Sequence, residues 1–388
     1  MRKPLAIFAL SLGLTLGAPA LVAHGRAPLE WFNPQRQAAL GYDQQLFQFL
    51  NGQPGDRAAL LQSIDHSLRY LDTPAAANAY RNFSIRWITR DRVRRSLVRF
   101  RQLVQSARSP EELQAAVQRE FVFYRAIGDS RYGNQTYFTG YYEPIYAASR
   151  TRTAEYRFPL YRRPGNLESW QRPHPSRAQL EGNNGEGQGA LLAGGELVWL
   201  RDRLEAFLVH IQGSARLKMP NGEIMSVGFH GSTDYPYTSI GREMIRDGLH
   251  PADGFTLPKM IGIFRQRPEL LNVYIPRNNR FIFFRETYGA PATGSISVPV
   301  TADRSIATDK DLMPPGALAL IDTQIPQVDR SGRVTPARAN RFVLDQDTGS
   351  AIKGPGRVDV FMGTGDVAGQ RAGVMGYRGE LYYLVLRE

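Results

Sequence analysis

The sequence predicts a mainly β protein with a helical N-terminal part, an α+β class. Apolar residues recur at helical spacing in the first third, and short apolar runs separated by Gly, Pro and Asn follow from about Tyr137 onward. The 388 residues are too many for one small core and suit two domains. The many short runs favour barrels over a doubly wound sheet.

Three helices are predicted in the first third. The third has Ser109 as its N-cap, followed by Pro110 in the first turn. The apolar stripes of the three helices are Leu60, Leu61, Ile64, Leu68 and Leu71; Val93, Leu97, Phe100 and Val104; and Leu113, Val117, Phe121 and Tyr124.

The pattern of the rest of the chain predicts strands interrupted by two short helices. The helices are expected near residues 239–247, before Gly248, and 257–266, before Pro268. The β-like runs are residues 197–200, 207–211, 281–284, 317–321 and 381–386.

The first residues resemble a secretory signal. Arg2 and Lys3 precede an apolar stretch over residues 5–16, and small residues follow up to Ala23. We therefore expect residues 1–23 to be a signal peptide and the protein to be exported to the periplasm or cell envelope. An uncleaved N-terminal anchor is the alternative.

The amino-acid composition restricts the covalent chemistry and the classes of partner that we expect. The sequence has no cysteine, so we expect no disulfide, no cysteine nucleophile and no lipid-bearing cysteine, and hence not a lipoprotein. The formal net charge of +12 favours polyanions. For an exported protein these are a cell-wall polymer or a membrane surface, and no nucleic-acid motif is present.

The sequence gives no support for a metal site, a nucleotide site or a serine triad. The six histidines include no HExxH pair, so no metal is expected. Gly363-Thr364-Gly365 lacks the lysine of a phosphate-binding loop, and no Gly-x-Ser-x-Gly elbow occurs, so no cofactor or serine triad is expected either. Carboxylates remain as candidates.

The run from Asp347 to Asp359 has a strand, glycine-rich loop, strand character. Alternation along the second strand puts Asp359 on the face opposite Val358 and Val360. Asp359 therefore faces either water or a cleft, and the latter would suit a general acid.

Five short sequence blocks occur in order along the chain. They are FTGYYEP at residues 138–144, HIQGSA at 210–215, YTSIGREMI at 237–245, SIATDKDLMPPG at 305–316 and DTGSAIKG at 347–354. Together these blocks resemble the membrane-bound lytic transglycosylase A (MltA) family. The resemblance covers most of the chain that follows the predicted signal.

This resemblance implies a domain arrangement. Residues 24–144 and 281–388 would form a domain with the N-terminal helices and a double-psi β-barrel, whose three-aspartate (3D) region covers about residues 300–388. Residues 145–280 would form a second β-barrel inserted into the first, with a groove between the two for a glycan strand.

The resemblance also implies the reaction, which is cleavage of the MurNAc-β-1,4-GlcNAc bond of peptidoglycan with formation of a 1,6-anhydromuramic end. Asp359 would act as general acid and then as general base. Its pKa would have to be raised by apolar neighbours or by a nearby like charge. Asp347 and Asp309 would be supporting acids; alternatively, they cap turns and hold loops.

The other blocks would bind sugar. Glu143 is the rival acid, or else an ion-pair partner; of Tyr141 and Tyr142, one is expected to pack in the core because adjacent strand residues face opposite ways. The expected substrate-binding residues are Thr139, Gly140, Tyr141, Tyr142, Gln212, Gly213 and Ser214, with Asp234 and Tyr237 as weaker candidates.

Two other functions stay open at this point. A muramidase would cleave the same bond with water and would need a second carboxylate to activate that water. A non-catalytic glycan-binding or wall-remodelling protein, or an extracytoplasmic scaffold, would need no acid. For the transglycosylase we expect a monomer whose partners are glycan strands, with peripheral contact to the membrane or to a cell-wall complex.

Overall fold

A computed structural model of the chain describes residues 27–48, 55–187 and 190–388. The predicted signal peptide, residues 1–23, lies outside the described residues. Two compact units are present. The barrel unit comprises the described residues up to Tyr141, then Thr293–Gly363 and Met375–Glu388. The insert unit comprises Tyr142–Ala292 and Thr364–Val374.

Helices and strands are numbered in chain order. The helices are α1 Arg57–Leu71, α2 Pro74–Arg81, α3 Arg90–Ser106, α4 Pro110–Glu120, α5 Arg177–Glu181, α6 Arg203–Gln212, α7 Ile240–Arg246, α8 Leu257–Gln266, α9 Leu270–Tyr274 and α10 Asp366–Val374. The strands are β1 Leu29–Phe32, β2 Phe121–Ala126, β3 Thr136–Glu143, β4 Ile145–Ser149, β5 Phe158–Tyr161, β6 Glu196–Leu200, β7 Ser214–Lys218, β8 Ile224–Ser232, β9 Ile282–Glu286, β10 Ser305–Ala307, β11 Leu318–Val328, β12 Val334–Asp347, β13 Arg357–Thr364 and β14 Gly376–Leu386.

The barrel unit is built on a closed sheet. Its strands follow the order β14-β11-β12-β10-β13-β3, and pairing of β3 with β14 closes the ring. The short β10 runs parallel to β12 and antiparallel to β13. Strands β1 and β2 extend the sheet from β14. The predicted barrel and the α+β class are confirmed.

The N-terminal helices pack on this sheet. Thr89 caps α3 by accepting a hydrogen bond from the Arg92 backbone N–H. Phe100, which is fully buried, lies 4.9 Å from the ring of Phe342 and 6.2 Å from that of Phe121. Leu60, Leu97 and Leu113, one from each predicted stripe, are also fully buried, so all three predicted helices face the core. The short helix α2, which follows the cap Thr73, was not anticipated.

The third predicted stripe was wrong at its end. Helix α4 stops at Glu120, and Phe121 and Tyr124 belong to β2. The four residues Phe-Val-Phe-Tyr have high strand propensity, and β2 finds partners in β1 and β14. Tertiary pairing therefore overrides the helical spacing.

The insert unit carries a second sheet, with strand order β5-β6-β4-β7-β8-β9. A β-bridge between Arg162, just after β5, and Phe284 of β9 joins the two edges of this sheet. Its core is apolar and includes Leu160, Val198, Leu217 and Val227. Helices α7 and α8 lie where the sequence predicted them.

The predicted strand at residues 207–211 was wrong, because this run belongs to helix α6. Asp202 caps the helix through the Leu204 and Glu205 backbone N–H groups, and Gly213 ends it with φ 81°. A continuous apolar run does not distinguish a buried strand from a buried helix by periodicity alone. The cap residues Asp202 and Gly213 are the sequence feature that distinguishes a helix from a strand here.

None of the helices formed by residues 27–48, 55–187 and 190–388 combines the length and the apolarity needed to span a bilayer.

A buried ion cluster connects the N-terminal segment to the barrel. The Arg304 side chain, 0% exposed, lies 2.5 Å from a carboxylate oxygen of Asp43 and 2.5 Å from one of Asp56. It also donates to the Phe342 carbonyl at 2.7 Å, and Asp43 accepts the Phe342 backbone N–H at 2.9 Å. Removing the arginine would leave the buried Asp43 without its main counter-charge.

We predict that Arg304→Met lowers the free energy of unfolding by about 3–5 kcal/mol, the usual cost of leaving a buried charge unpaired. Urea unfolding followed by circular dichroism measures this change. Arg338→Met is the matched control, since Arg338 is 71% exposed in its pair with Asp322 and should cost about 1 kcal/mol or less. Equal losses in the two variants would contradict the prediction.

Candidate active site

Asp359 lies in the third position of β13. Val358 and Val360 on either side are fully buried and point to the opposite face, as the alternation predicted. The Asp359 side chain is 19% exposed. It shares its face with Arg357 and Phe361, which are two residues away in each direction.

Strand β3 presents a matching row to these three side chains. The Arg357 guanidinium carbon lies 5.3 Å from the ring centre of Tyr137. Thr139 donates its hydroxyl hydrogen to the Asp359 carboxylate. The Tyr141 and Phe361 rings are 5.2 Å apart. The candidate acid therefore sits in the middle of three cross-strand pairs.

A glycine allows β13 to start in this position. A Cβ atom on Gly356 would lie 2.5 Å from the backbone nitrogen of Asp129, so only glycine permits this close approach. The Gly356 carbonyl accepts the Tyr137 backbone N–H at 2.8 Å. This contact sets the start of β13 beside the start of β3.

Two opposing effects act on the Asp359 carboxyl. Burial raises its pKa above the ordinary value for aspartate, and the positive charge of Arg357 lowers it. The Arg357 Nη2 atom is 3.1 Å from the Asp359 carboxylate, and the arginine side chain is only 4% exposed. Of the two causes of a raised pKa considered from the sequence, burial is the one that operates here.

Arg357 is a residue that the sequence reasoning missed. Its Nε and Nη1 atoms are buried and have no hydrogen-bond partner among the described residues. Position i−2 on a strand always shares a face with position i, so the spacing alone could have identified this residue as a neighbour of Asp359.

Asp347 lies at the end of β12. It accepts hydrogen bonds at 2.8 Å from the Tyr141 hydroxyl and from the backbone N–H groups of Ser295 and Thr348. Burial raises its pKa, and these hydrogen bonds and the charge of Lys310 oppose the rise. A carboxylate with this many donors is well suited to holding a tyrosine and a loop.

Strand register separates the two aspartates. Ala307 of β10 pairs with Asp347 on one side and with Asp359 on the other. Two strand spacings correspond to about 10 Å between their backbones. Asp347 and Asp359 are therefore not a pair of carboxyls in direct contact.

Asp309 holds the glycine-rich loop that precedes β13. It is 5% exposed and accepts the backbone N–H groups of Gly354 at 2.9 Å and Asp311 at 3.3 Å. The Lys353 ammonium lies 3.5 Å away. These contacts are those expected of an aspartate that holds a loop, which is the alternative to a supporting acid.

The insert unit brings two of the predicted sugar-binding residues together. The Gln212 side-chain carbonyl accepts the Tyr142 backbone N–H at 3.0 Å. Tyr142 is 9% exposed and therefore the buried member of the tyrosine pair, whereas Tyr141 is partly exposed. Gly213 and Ser214 follow at the junction of α6 and β7. Gly140 is a partly exposed residue of β3 in the barrel unit.

The remaining predicted residues have other neighbours. Glu143, 1% exposed, accepts hydrogen bonds from the Arg216 guanidinium at 2.9 Å and the Thr364 hydroxyl at 2.8 Å. These contacts are those of an ion-pair partner, the alternative to the role of acid. Asp234 accepts the His174 backbone N–H at 3.1 Å. Tyr237 is partly exposed, in the segment before α7.

Within the part of the chain that the structure describes, no three His, Asp or Glu side chains are grouped so that they could hold a metal ion. At Asp359 itself the neighbouring groups are the Arg357 guanidinium and the Thr139 hydroxyl.

Comparison with known proteins agrees with this architecture. Two family models match the chain, the MltA specific insert domain over residues 137–285 and the 3D domain over residues 304–385. Membrane-bound lytic murein transglycosylase A of Escherichia coli strain K12 is 30% identical over 263 residues, which are 66% of this chain and 67% of that protein.

Solved structures share the fold. A membrane-bound lytic murein transglycosylase from Agrobacterium tumefaciens has a TM-score of 0.70 at 23% identity and covers 92% of this chain and 98% of its own. The structure of E. coli MltA with bound chitohexaose has a TM-score of 0.68 at 22% identity and covers 94% of this chain and 96% of its own.

Fold and matched models together define the class, a 3D-domain barrel protein that carries an MltA specific insert. The chain belongs to the membrane-bound lytic murein transglycosylase A family. The resemblance inferred from the five sequence blocks is confirmed.

We predict that Arg357→Met raises the pKa of Asp359, because it removes the charge that favours the carboxylate while burial persists. Asp359 then keeps its proton to a higher pH. NMR titration of the carbon-13-labelled side-chain carboxyl measures the change. The control is Arg125→Met, which removes an arginine paired at 2.6 Å with Glu30 of β1 and should leave the Asp359 titration unchanged. A pKa that falls or stays constant in Arg357→Met would contradict the prediction.

Proposed function

We propose that this protein is a peptidoglycan lytic transglycosylase that cleaves the MurNAc-β-1,4-GlcNAc bond and leaves a 1,6-anhydromuramic end. The observation that carries the proposal is Asp359, a largely buried carboxyl with a raised pKa on a strand of a closed barrel. Membership of the lytic murein transglycosylase A family supports the same reaction and substrate.

In the first step Asp359 donates its proton to the glycosidic oxygen, and the bond from that oxygen to the anomeric carbon breaks. The hydroxymethyl oxygen of the same muramic residue then forms a bond to the anomeric carbon and gives its proton to the Asp359 carboxylate. The acid is regenerated, and no water is consumed. Intramolecular attack supplies a high effective concentration of the nucleophile.

One carboxyl suffices for this sequence of steps, whereas a hydrolase needs two. Asp347 is about two strand spacings from Asp359 and accepts three hydrogen bonds, which makes it an unsuitable base for activating water. Glu143 is held by Arg216 and Thr364 in the insert unit. These contacts favour ring closure over hydrolysis.

The neighbours of Asp359 have distinct roles in this proposal. Arg357 stabilises the carboxylate that exists between the two proton transfers and so opposes the rise in pKa that burial causes. Thr139 orients the carboxyl through its hydroxyl. Asp347 supports the site by holding the Tyr141 hydroxyl, and Asp309 supports it by holding the loop before β13.

Substrate contacts follow from side-chain chemistry. Tyrosine rings and hydroxyls, amides and the Ser214 hydroxyl suit pyranose faces and acetamido groups. The E. coli relative whose structure contains chitohexaose supports a glycan ligand. We propose as substrate-binding residues Thr139, Gly140, Tyr141, Tyr142, Gln212, Gly213 and Ser214, with secondary roles for Asp234 and Tyr237.

We also propose that the protein is exported, acts as a monomer in the periplasm or cell envelope, and loses residues 1–23 as a signal peptide. The domain division would place residues 24–144 and 281–388 in one domain and residues 145–280 in the other. Matches of the insert model to residues 137–285 and of the 3D model to residues 304–385 support that division.

We predict that Asp359→Asn lowers the release of anhydromuropeptides from purified sacculi by about 100- to 10,000-fold, the usual contribution of a general acid and base. Mass spectrometry of the released material measures the rate. Binding to sacculi, followed by co-sedimentation, should be retained because asparagine has nearly the same shape.

The control for this variant is Asp311→Asn, which changes an acid that is 83% exposed in the same unit and should release products at the normal rate. Undiminished release by Asp359→Asn would show that another residue carries the proton. If the unaltered protein bound sacculi normally but released no products from them, a glycan-binding function would be favoured instead.

A further inference from the structure

A short stretch of the barrel unit is unusually rich in arginine. Residues 81–101, from the end of α2 through most of α3, contain eight arginines, with Asp91 as the only acid. Basic surface is ordinary in a chain with a net charge of +12, so the question is which of these charges are already neutralised.

Most of the α3 arginines have partners. Arg92 donates to the Leu386 and Trp87 carbonyls. The other four form ion pairs: Arg94 with Asp72, Arg95 with Asp91, Arg99 with Glu120 and Arg101 with Asp65.

Three arginines differ from these. Arg81, Arg86 and Arg90 are exposed, and no carboxylate among the described residues pairs with any of them. Asp91, which is adjacent to Arg90, is engaged by Arg95 at 2.9 Å. These three guanidinium groups form a patch of unneutralised positive charge, which we call the arginine face.

A cleft of about 410 Å³ lies at the arginine face. Arg81, Arg86 and Arg90 all line it, and its floor is apolar, with Phe83, Ile85 and Ile88 buried beneath.

Trp87 adds a large aromatic group to the same segment. It is 45% exposed, and its ring lies 6.1 Å from that of Tyr124. An indole of this kind prefers the boundary between water and an apolar phase. Its neighbours in the sequence are Arg86 and the buried Ile88.

We infer that the arginine face docks the protein on the surface of a membrane that contains anionic phospholipids. Guanidinium groups bind phosphate oxygens in bidentate fashion, and each basic residue near an anionic bilayer strengthens its attachment. The partly exposed Trp87 indole fits the boundary between headgroups and acyl chains. This inference does not depend on the proposed catalytic function.

The test measures flotation with vesicles of the protein without the predicted signal peptide, residues 1–23, so that the apolar stretch over residues 5–16 does not itself bind lipid. Vesicles of phosphatidylglycerol and phosphatidylcholine should bind the protein at about 0.1 M salt and release it at about 1 M, since salt screens exposed charge. Vesicles of phosphatidylcholine alone should bind little. The combined variant Arg81→Gln, Arg86→Gln, Arg90→Gln should lose affinity by about tenfold to a hundredfold.

A matched variant controls for net charge. Arg330→Gln, Arg333→Gln, Arg338→Gln removes three exposed arginines from the turn and strand after β11 and should bind the anionic vesicles normally. In the unaltered protein the tryptophan emission should shift to shorter wavelength on binding. Trp87→Phe should abolish most of that shift, although three other tryptophans remain.

Several results would overturn the inference. Equal losses in both triple variants would mean that net charge alone attracts the protein. Absence of binding to anionic vesicles, or complete release by millimolar inorganic phosphate, would exclude a membrane-docking surface. If the first triple variant lost binding to sacculi and kept its binding to vesicles, the arginine face would serve the polymer instead.

Discussion

The contact between the Arg357 guanidinium and the Asp359 carboxylate, 3.1 Å apart, is the interaction on which the proposed chemistry of the barrel unit depends. Burial alone would hold the proton on Asp359, and the arginine favours its release. Both side chains occupy one face of β13, between β10 and β3 in a closed ring. A slip of one residue would exchange them for Val358 and Val360, so the register of the barrel protects the site.

Much of the candidate site could be predicted from alternation along one strand. The faces of Val358, Asp359 and Val360 followed directly from it. The separation of Asp347 from Asp359 could not, because it depends on β10, a strand of three residues whose pairing is decided by the rest of the barrel. In the proposed mechanism the two candidate carboxyls become one acid, Asp359, and a second aspartate, Asp347, that holds Tyr141 and a loop.

The fold shows the same limit of local information. Helices α1 and α3 carry complete periodic stripes and were predicted well, whereas the apolar run in α6 and the aromatic run in β2 needed tertiary partners to decide their type. Arginines are equally visible in the sequence of α3, but only the structure distinguishes those paired with carboxylates from Arg90, which is not. Pairing, rather than composition, determines which charges remain available to a partner.

Digestion of sacculi in water enriched in oxygen-18 tests most directly whether a single carboxyl closes the ring without water. We predict that the released muropeptides have anhydro ends, lighter by one water than hydrolysed ends, and carry no oxygen-18 at the anomeric carbon of the muramic residue. Products with hydrolysed ends that contain oxygen-18 would show that water is the nucleophile. They would contradict the assignment of both proton transfers to Asp359.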